Sequence, residues 1–222
     1  MSSRAASCRH RSVPPPGASR KHRGAAYNPA VTLAEALARH AAADPEEAAH
    51  LRRIVEFVGR HPDPFDRRIP EGHLTGSALV VSPGADRILL VHHRKLQRWL
   101  QPGGHAEPGE TSGEAVALRE AREETGIAGL ALHPNAPRPL DVDVHAIPAF
   151  GAEPAHAHLD LRYLVLAPEA GAITLSAAES SDARWFAWDE LSALDLDRGL
   201  VRALAKARAR LSAAVTRAAS RS

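Results

Sequence analysis

Glu120, Glu123 and Glu124 lie three and four residues apart in the stretch "REAREETG". On a helix, side chains at those spacings project from one face, so three carboxylates would converge there. Unaided, they repel one another. A hard divalent cation, Mg²⁺ or Mn²⁺, held by carboxylate oxygens and water would reconcile them. Two glycines precede the segment, Gly103 and Gly104, and let the backbone pass close enough for a carbonyl to reach such a cation as well. Arg119 can neutralise a neighbouring acid, and Gly126 is placed to stop the helix as a C-cap. On the opposite side, Ala115, Leu118 and the stem of Arg122 offer a face to a sheet. A plain alternative also fits the pattern: an acid-rich helix turned to water, since Glu is a good helix former and charge runs usually face solvent.

The elements that must position this face can be read along the chain. Residues 1–30 are rich in Ser, Arg, Pro and Gly and have too little apolar surface to order themselves, so a disordered basic tail is expected. Residues 31–70 form a helical extension and linker: Leu33, Ala36, Leu37 and Ala41 suit one helical face. Asp44, Pro45 and Glu47 then form an N-cap, a first-turn proline and a capping acid for a second helix to about Gly59. The proline-rich "HPDPFDRRIP" reads as linker. Residues 71–222 are the main domain. Its period becomes that of strands from "HLTGSALVV", with a hairpin turn at Pro83-Gly84 before Ile88–Val91. Further strands are expected at "LDVDVHAIPA", "HAHLDLRYLVLA", "GAITL" and "ARWFAW", and a last helix after Asp189 as a possible cap. Strands around one central helix with another at the end predict an α/β/α sandwich on a mixed sheet, not a doubly wound parallel one.

Charge narrows the partners. The 222 residues hold 28 Lys/Arg and 26 Asp/Glu, but six of the bases lie in 1–30 and seven in 198–222, with no acid in either, so 31–197 carries a net −11. An acidic middle repels polyanions, which leaves nucleic acid only weak contact through the tails. No stretch is apolar enough for a membrane span or secretory signal, and the lone Cys8 excludes an intrachain disulfide or a Cys-based zinc site. A cytoplasmic protein, monomer or homodimer, with a small phosphate-containing substrate is expected.

The segment Gly104–Ile127 resembles the signature of the Nudix hydrolases, GX5EX7REUXEEXGU, in which U is a bulky aliphatic residue. "REAREETGI" matches its second half as Arg119, Glu120, Ala121, Glu123, Glu124, Gly126 and Ile127, with Ala121 smaller than the pattern asks. Gly104 and Glu110 match the first half, but eight residues separate Glu110 from Arg119 where the pattern has seven. Either a loop residue such as Pro108 is extra and Thr111 takes the place of the first glutamate, or Glu110 keeps its role and the helix start absorbs the insertion. "ARWFAWDEL" looks like the strand and helix that close such domains, so the likeness extends from Leu74 to about Leu211.

The resemblance implies metal-dependent hydrolysis of a pyrophosphate bond in a nucleoside diphosphate linked to a moiety X. The cation would screen the diphosphate from the acidic helix and acidify a water. It implies Glu123, Glu124 and the Gly103 carbonyl as metal ligands, Glu120 as ligand or general base, and Arg119 as the residue that orients the acids. Glu179, in the loop before "ARWF", is a second candidate for base or ligand, or a loop acid facing water. Two rivals keep the fold. An isoprenoid diphosphate isomerase would need a catalytic cysteine, and Cys8 lies in the tail. A non-catalytic nucleotide-sensing or interaction module would commonly lack acids that are present here.

Outside the signature, Arg94, Lys95 and Arg98 could hold phosphate oxygens or simply charge a hairpin edge, and Trp99 could stack on a base or pack in the core. His156, His158 and Asp160 alternate along one strand face, with His145 able to lie across from them. Such a group could bind a transition metal, contact the leaving group, or line the substrate cleft as a polar strand face. His105, next to the glycines, is a further substrate-binding candidate.

Overall fold

In the computed structural model, residues 32–151, 153–168, 173–175 and 180–219 are described. Helix α1 (Leu33–Ala38) opens on a reciprocal cap between Thr32 and Glu35. Helix α2 (Pro45–Arg60) opens on Asp44, whose carboxylate accepts from Glu47 N–H at 2.7 Å, with Pro45 in the first turn where its missing N–H costs nothing. Both helices share the main core. Leu37, Ile54, Phe57 and, from the segment after α2, Phe65 are buried in one cluster with Leu74, Val142 and Leu159.

The sheet has eight strands: β1 (Gly72–Val81), β2 (Arg87–His93), β3 (Arg98–Leu100), β4 (Gly103–His105), β5 (Ala131–Leu132), β6 (Asp141–Ile147), β7 (His156–Leu166) and β8 (Ser180–Ala187). It is mixed. β1 and β7 run parallel in the middle, buried on both faces, while the other pairs are antiparallel. Each of the two long central strands serves two neighbours on one edge. Thr75–Ser77 of β1 pair with β4 and Val80–Val81 with β2; the start of β7 pairs with β6 and its end with β5. Helix α3 (Gly113–Thr125) packs on β1 from one side, and α4 (Arg198–Ala219) covers the other with Leu200, Ala203, Leu204 and Ala207.

Three local expectations are corrected. The buried face of α3 is Val116, Ala117 and Ala121, with Leu118 packed at its margin as expected, whereas Ala115 and Arg122 are exposed, because the short apolar pattern leaves the helix rotation open. Ile173–Leu175 are not a strand: Thr174 N–H donates to the Thr125 carbonyl at 2.8 Å, tying this segment to the end of α3. Asp189 makes no capping bond. A 3₁₀ turn (Glu190–Ala193) follows it, and α4 starts later, where the Asp197 carboxylate accepts from Leu200 N–H at 2.8 Å.

A buried ionic network joins α2, the sheet and α4. Arg162, 2% exposed, donates to Asp160, Asp141 and Asp143 at 3.1, 3.3 and 2.7 Å, and Arg202 donates to Asp141 at 2.9 Å. Glu47 from α2 is completely buried and accepts from Lys206, from His40 and from Ala43 N–H. Burial alone would raise its pKa, but these hydrogen bonds outweigh it and hold the carboxyl well below the usual range. The unfolded chain then binds this proton first, so Glu47 adds stability above about pH 4.5 that is lost as pH falls towards its folded pKa. Glu47→Gln is expected to cost about 3 kcal/mol at pH 7, because Lys206 is left with only Asp141, at 3.6 Å, as a buried carboxylate. Urea melts should show that deficit shrinking at pH 3.5; an unchanged deficit would mean that charge is not its source.

Candidate active site

Helix α3 is held over the glycine strand β4 by its own acids. The Glu124 carboxylate accepts from Gly103 N–H at 2.9 Å and from the Ser180 hydroxyl at 3.3 Å. Glu120 lies directly on Gly104: a Cβ there would come within 2.6 Å of the Glu120 Oε1, so any side chain would push the carboxylate from this place. At the far end Gly126, at φ 68°, takes the left-handed conformation that ends the helix.

Arg119 organises the group. Its guanidinium donates from Nε to both Glu110 oxygens at 3.2 Å, from Nη1 to Glu120 and Glu123 at 3.0 and 2.9 Å, and from Nη2 to the His105 carbonyl at 2.6 Å. Of the two ways to accommodate the extra residue, the structure takes the second. Glu110 keeps its partner, Thr111 is exposed loop, and Ser112 caps α3 with a bond from Ala115 N–H at 3.3 Å. Burial works against the charge on Arg119, but Glu110 and Glu120 more than offset it and raise its pKa further; in return Arg119 and the Glu107 N–H hold Glu110 below the ordinary carboxylate range against burial.

A cleft of about 940 Å³ opens beside this face, lined by Gly104–Glu110, by Arg119, Glu120, Glu123 and Glu124, and by the segment around Asp63–Arg68. The donors fit a hard divalent cation. One guanidinium nitrogen already touches both Glu120 and Glu123, so a single positive centre can serve both carboxylates, and Glu124 is on the next turn.

The other candidates are dispersed. Arg94 donates to the Ser180 carbonyl at 3.1 Å and so sits one residue from Glu124, while Lys95 lies over the Phe150 ring and exposed Arg98 pairs with Asp195. None of these three lines the cleft. Besides Arg119, the cations there are Arg67 and Arg68, in what reads as linker, with Arg68 forked onto Asp66. Trp99 packs edge-on against Phe186. Asp160 is buried, accepting from Thr75 and Ser77 and paired with Arg162. His105 lines the cleft, yet its ring meets His158, which does not; His145 lies beside Asp143 with its ring 5.9 Å from that of His158. Glu179 falls outside the described residues.

Comparison with known proteins gives this arrangement its family. The family model of the NUDIX domain matches residues 72–207, well over half of the chain. The chain belongs to the Nudix hydrolase family. A Bacillus subtilis (strain 168) protein provisionally named an 8-oxo-dGTP diphosphatase is 43% identical to this Nudix protein over 51 residues, 23% of the chain. That match spans about a third of the relative's own length, 34%. Among solved structures, a C. elegans Ap4A hydrolase in a binary complex aligns with 63% of this chain and 98% of its own, at TM-score 0.50 and 19% identity, a likeness of fold. A NUDIX-family hydrolase from Clostridium perfringens aligns with 61% of this chain and 96% of its own, at TM-score 0.46 and 24% identity. Among the described residues no helix is long and apolar enough to cross a membrane.

Proposed function

We propose that this Nudix protein hydrolyses a pyrophosphate bond in a nucleoside diphosphate linked to a moiety X, using Mg²⁺ or Mn²⁺. The observation that carries the reading is the gathering of three acids at the wall of a cleft, Glu120 and Glu124 against the glycine strand and Glu120 and Glu123 on the Arg119 guanidinium. Glu120, Glu123 and Glu124 would hold the cation together with the Gly103 carbonyl. When bound it screens phosphate charge from the helix and makes a water a better nucleophile. Arg119 keeps the acids in place, Glu120 serves as the base if it is not itself a ligand, and Arg67 at the cleft can take phosphate oxygens.

A panel of nucleoside diphosphate derivatives, nucleoside triphosphates, dinucleoside polyphosphates and non-nucleotide diphosphates, each assayed with Mg²⁺ and with Mn²⁺, tests this. One class should be cleaved at a phosphoanhydride and only with metal. Tight binding of a nucleotide without turnover would favour the sensing module instead.

A further inference from the structure

On the sheet face opposite α3, four imidazoles meet. β1 supplies His73, β4 His105, and β7 His156 and His158. Register brings them together: parallel pairing sets His73 beside His158, and antiparallel pairing sets His105 across from Thr75, two residues along the same face of β1. The ring centroids of His73 lie 5.0, 5.1 and 5.0 Å from those of His105, His156 and His158. One ligating nitrogen from each of His73, His156 and His158 can be chosen so that all three lie within 4.8 Å of one another.

The hydrogen bonding of this group is incomplete without a cation. His73 is 1% exposed, yet neither ring nitrogen has a hydrogen-bond partner among the described residues. Burying a polar ring in that state is costly. The Pro154 carbonyl, which can only accept, lies 2.9 Å from His156 Nδ1, so the proton of a neutral His156 sits there and Nε2 presents a lone pair. That lone pair faces His158 Nε2 at 3.3 Å, and His158 Nε2 also faces His105 Nε2 at 2.9 Å. A single in-plane proton or lone pair on His158 can point squarely at only one of the two. Two nitrogens on a tetrahedral Zn²⁺, each about 2.0–2.1 Å from the metal, would be about 3.3 Å apart.

We propose that His73, His156 and His158, with His105 as fourth ligand, form a structural Zn²⁺ site separate from the carboxylates of α3. Four imidazoles suit a borderline transition ion and not Mg²⁺, which takes oxygen ligands. With four protein ligands the site is closed to substrate. Its effect is mechanical: β4 is three residues long, and fastening His105 to β1 and β7 fixes the strand that carries Gly103 and Gly104 on its way to the acids.

The test is zinc content and melting of the full chain, grown with zinc and dialysed against buffer. Wild type should retain about one zinc per chain, bind Co²⁺ with the visible spectrum of a tetrahedral nitrogen site, and melt at a lower temperature after zinc is chelated. His156→Gln and His158→Asn should lose the metal and the chelator effect, whereas Glu124→Gln and His145→Gln should keep both. Circular dichroism of zinc-free wild type and of the variants controls for folding. The proposal is overturned if wild type retains no zinc and shows no zinc-dependent melting, or if the His156 and His158 variants hold as much zinc as wild type. Loss of zinc in Glu124→Gln alone would equally overturn it by moving the ion to α3.

Discussion

Glu124→Gln is expected to lower metal-dependent phosphoanhydride hydrolysis by about 10³-fold, on the order of 4 kcal/mol in the barrier, with the fold intact. The substitution is clean because of what Glu124 does locally. Its Oε1 accepts from Gly103 N–H, and a glutamine carbonyl can keep that bond; its Oε2 meets the Ser180 hydroxyl, which can turn from donor to acceptor opposite an amide. Shape and both contacts survive while the negative charge goes. Glu123→Gln should act in the same direction, at a structural cost of about 0.5 kcal/mol or less, because that side chain is 54% exposed and its link to Arg119 is an exposed i,i+4 pair. Steady-state rates with Mg²⁺ alongside a thermal melt provide the check. A variant that turns over like wild type would remove Glu124 from the site.

Arg119→Ala is expected to combine a stability loss of about 3 kcal/mol with at least a tenfold fall in kcat that persists at saturating Mg²⁺. One planar guanidinium satisfies Glu110, Glu120, Glu123 and the His105 carbonyl together. Removing it leaves three carboxylates repelling one another and a carbonyl without its donor. Arg119→Lys should recover only part of the loss, since an ammonium is a point charge and cannot reproduce the fork. Because Arg119 acts through the acids, kcat should fall more than KM rises. Denaturant midpoints and kinetics at several Mg²⁺ concentrations would reveal this; full rescue of kcat by excess Mg²⁺ would reduce Arg119 to neutralising charge.

What the sequence made legible follows rules of short range. The convergence of Glu120, Glu123 and Glu124 needs only the helical repeat, the caps at Asp44 and Gly126 need only their own turns, and the Pro83-Gly84 hairpin joins neighbouring strands. What it hid depends on register and on packing over long separations. His73 was passed over because a single histidine in "GHLTGSALVV" looks like a strand residue until β7 sets His158 beside it, eighty-five positions on. Thr75 and Ser77 on the same face were the available hint, since their alternation marks a polar stripe on an otherwise apolar strand. Arg67 and Arg68 were hidden by the prolines around them, and Ser180 by its distance from Glu124 along the chain. Asp189 reads as the last cap, but the structure makes only one 3₁₀ turn after it and starts α4 after Asp197.

The central claim is that the acidic face of α3 holds a divalent cation, and titration calorimetry of the full chain with Mg²⁺, in the presence of a non-hydrolysable diphosphate analogue, tests it most directly. Wild type and His156→Gln should both give a saturable isotherm, and the Glu120, Glu123, Glu124 triple glutamine variant should give none. An isotherm that survives in the triple variant, or that is missing from wild type, would contradict the account.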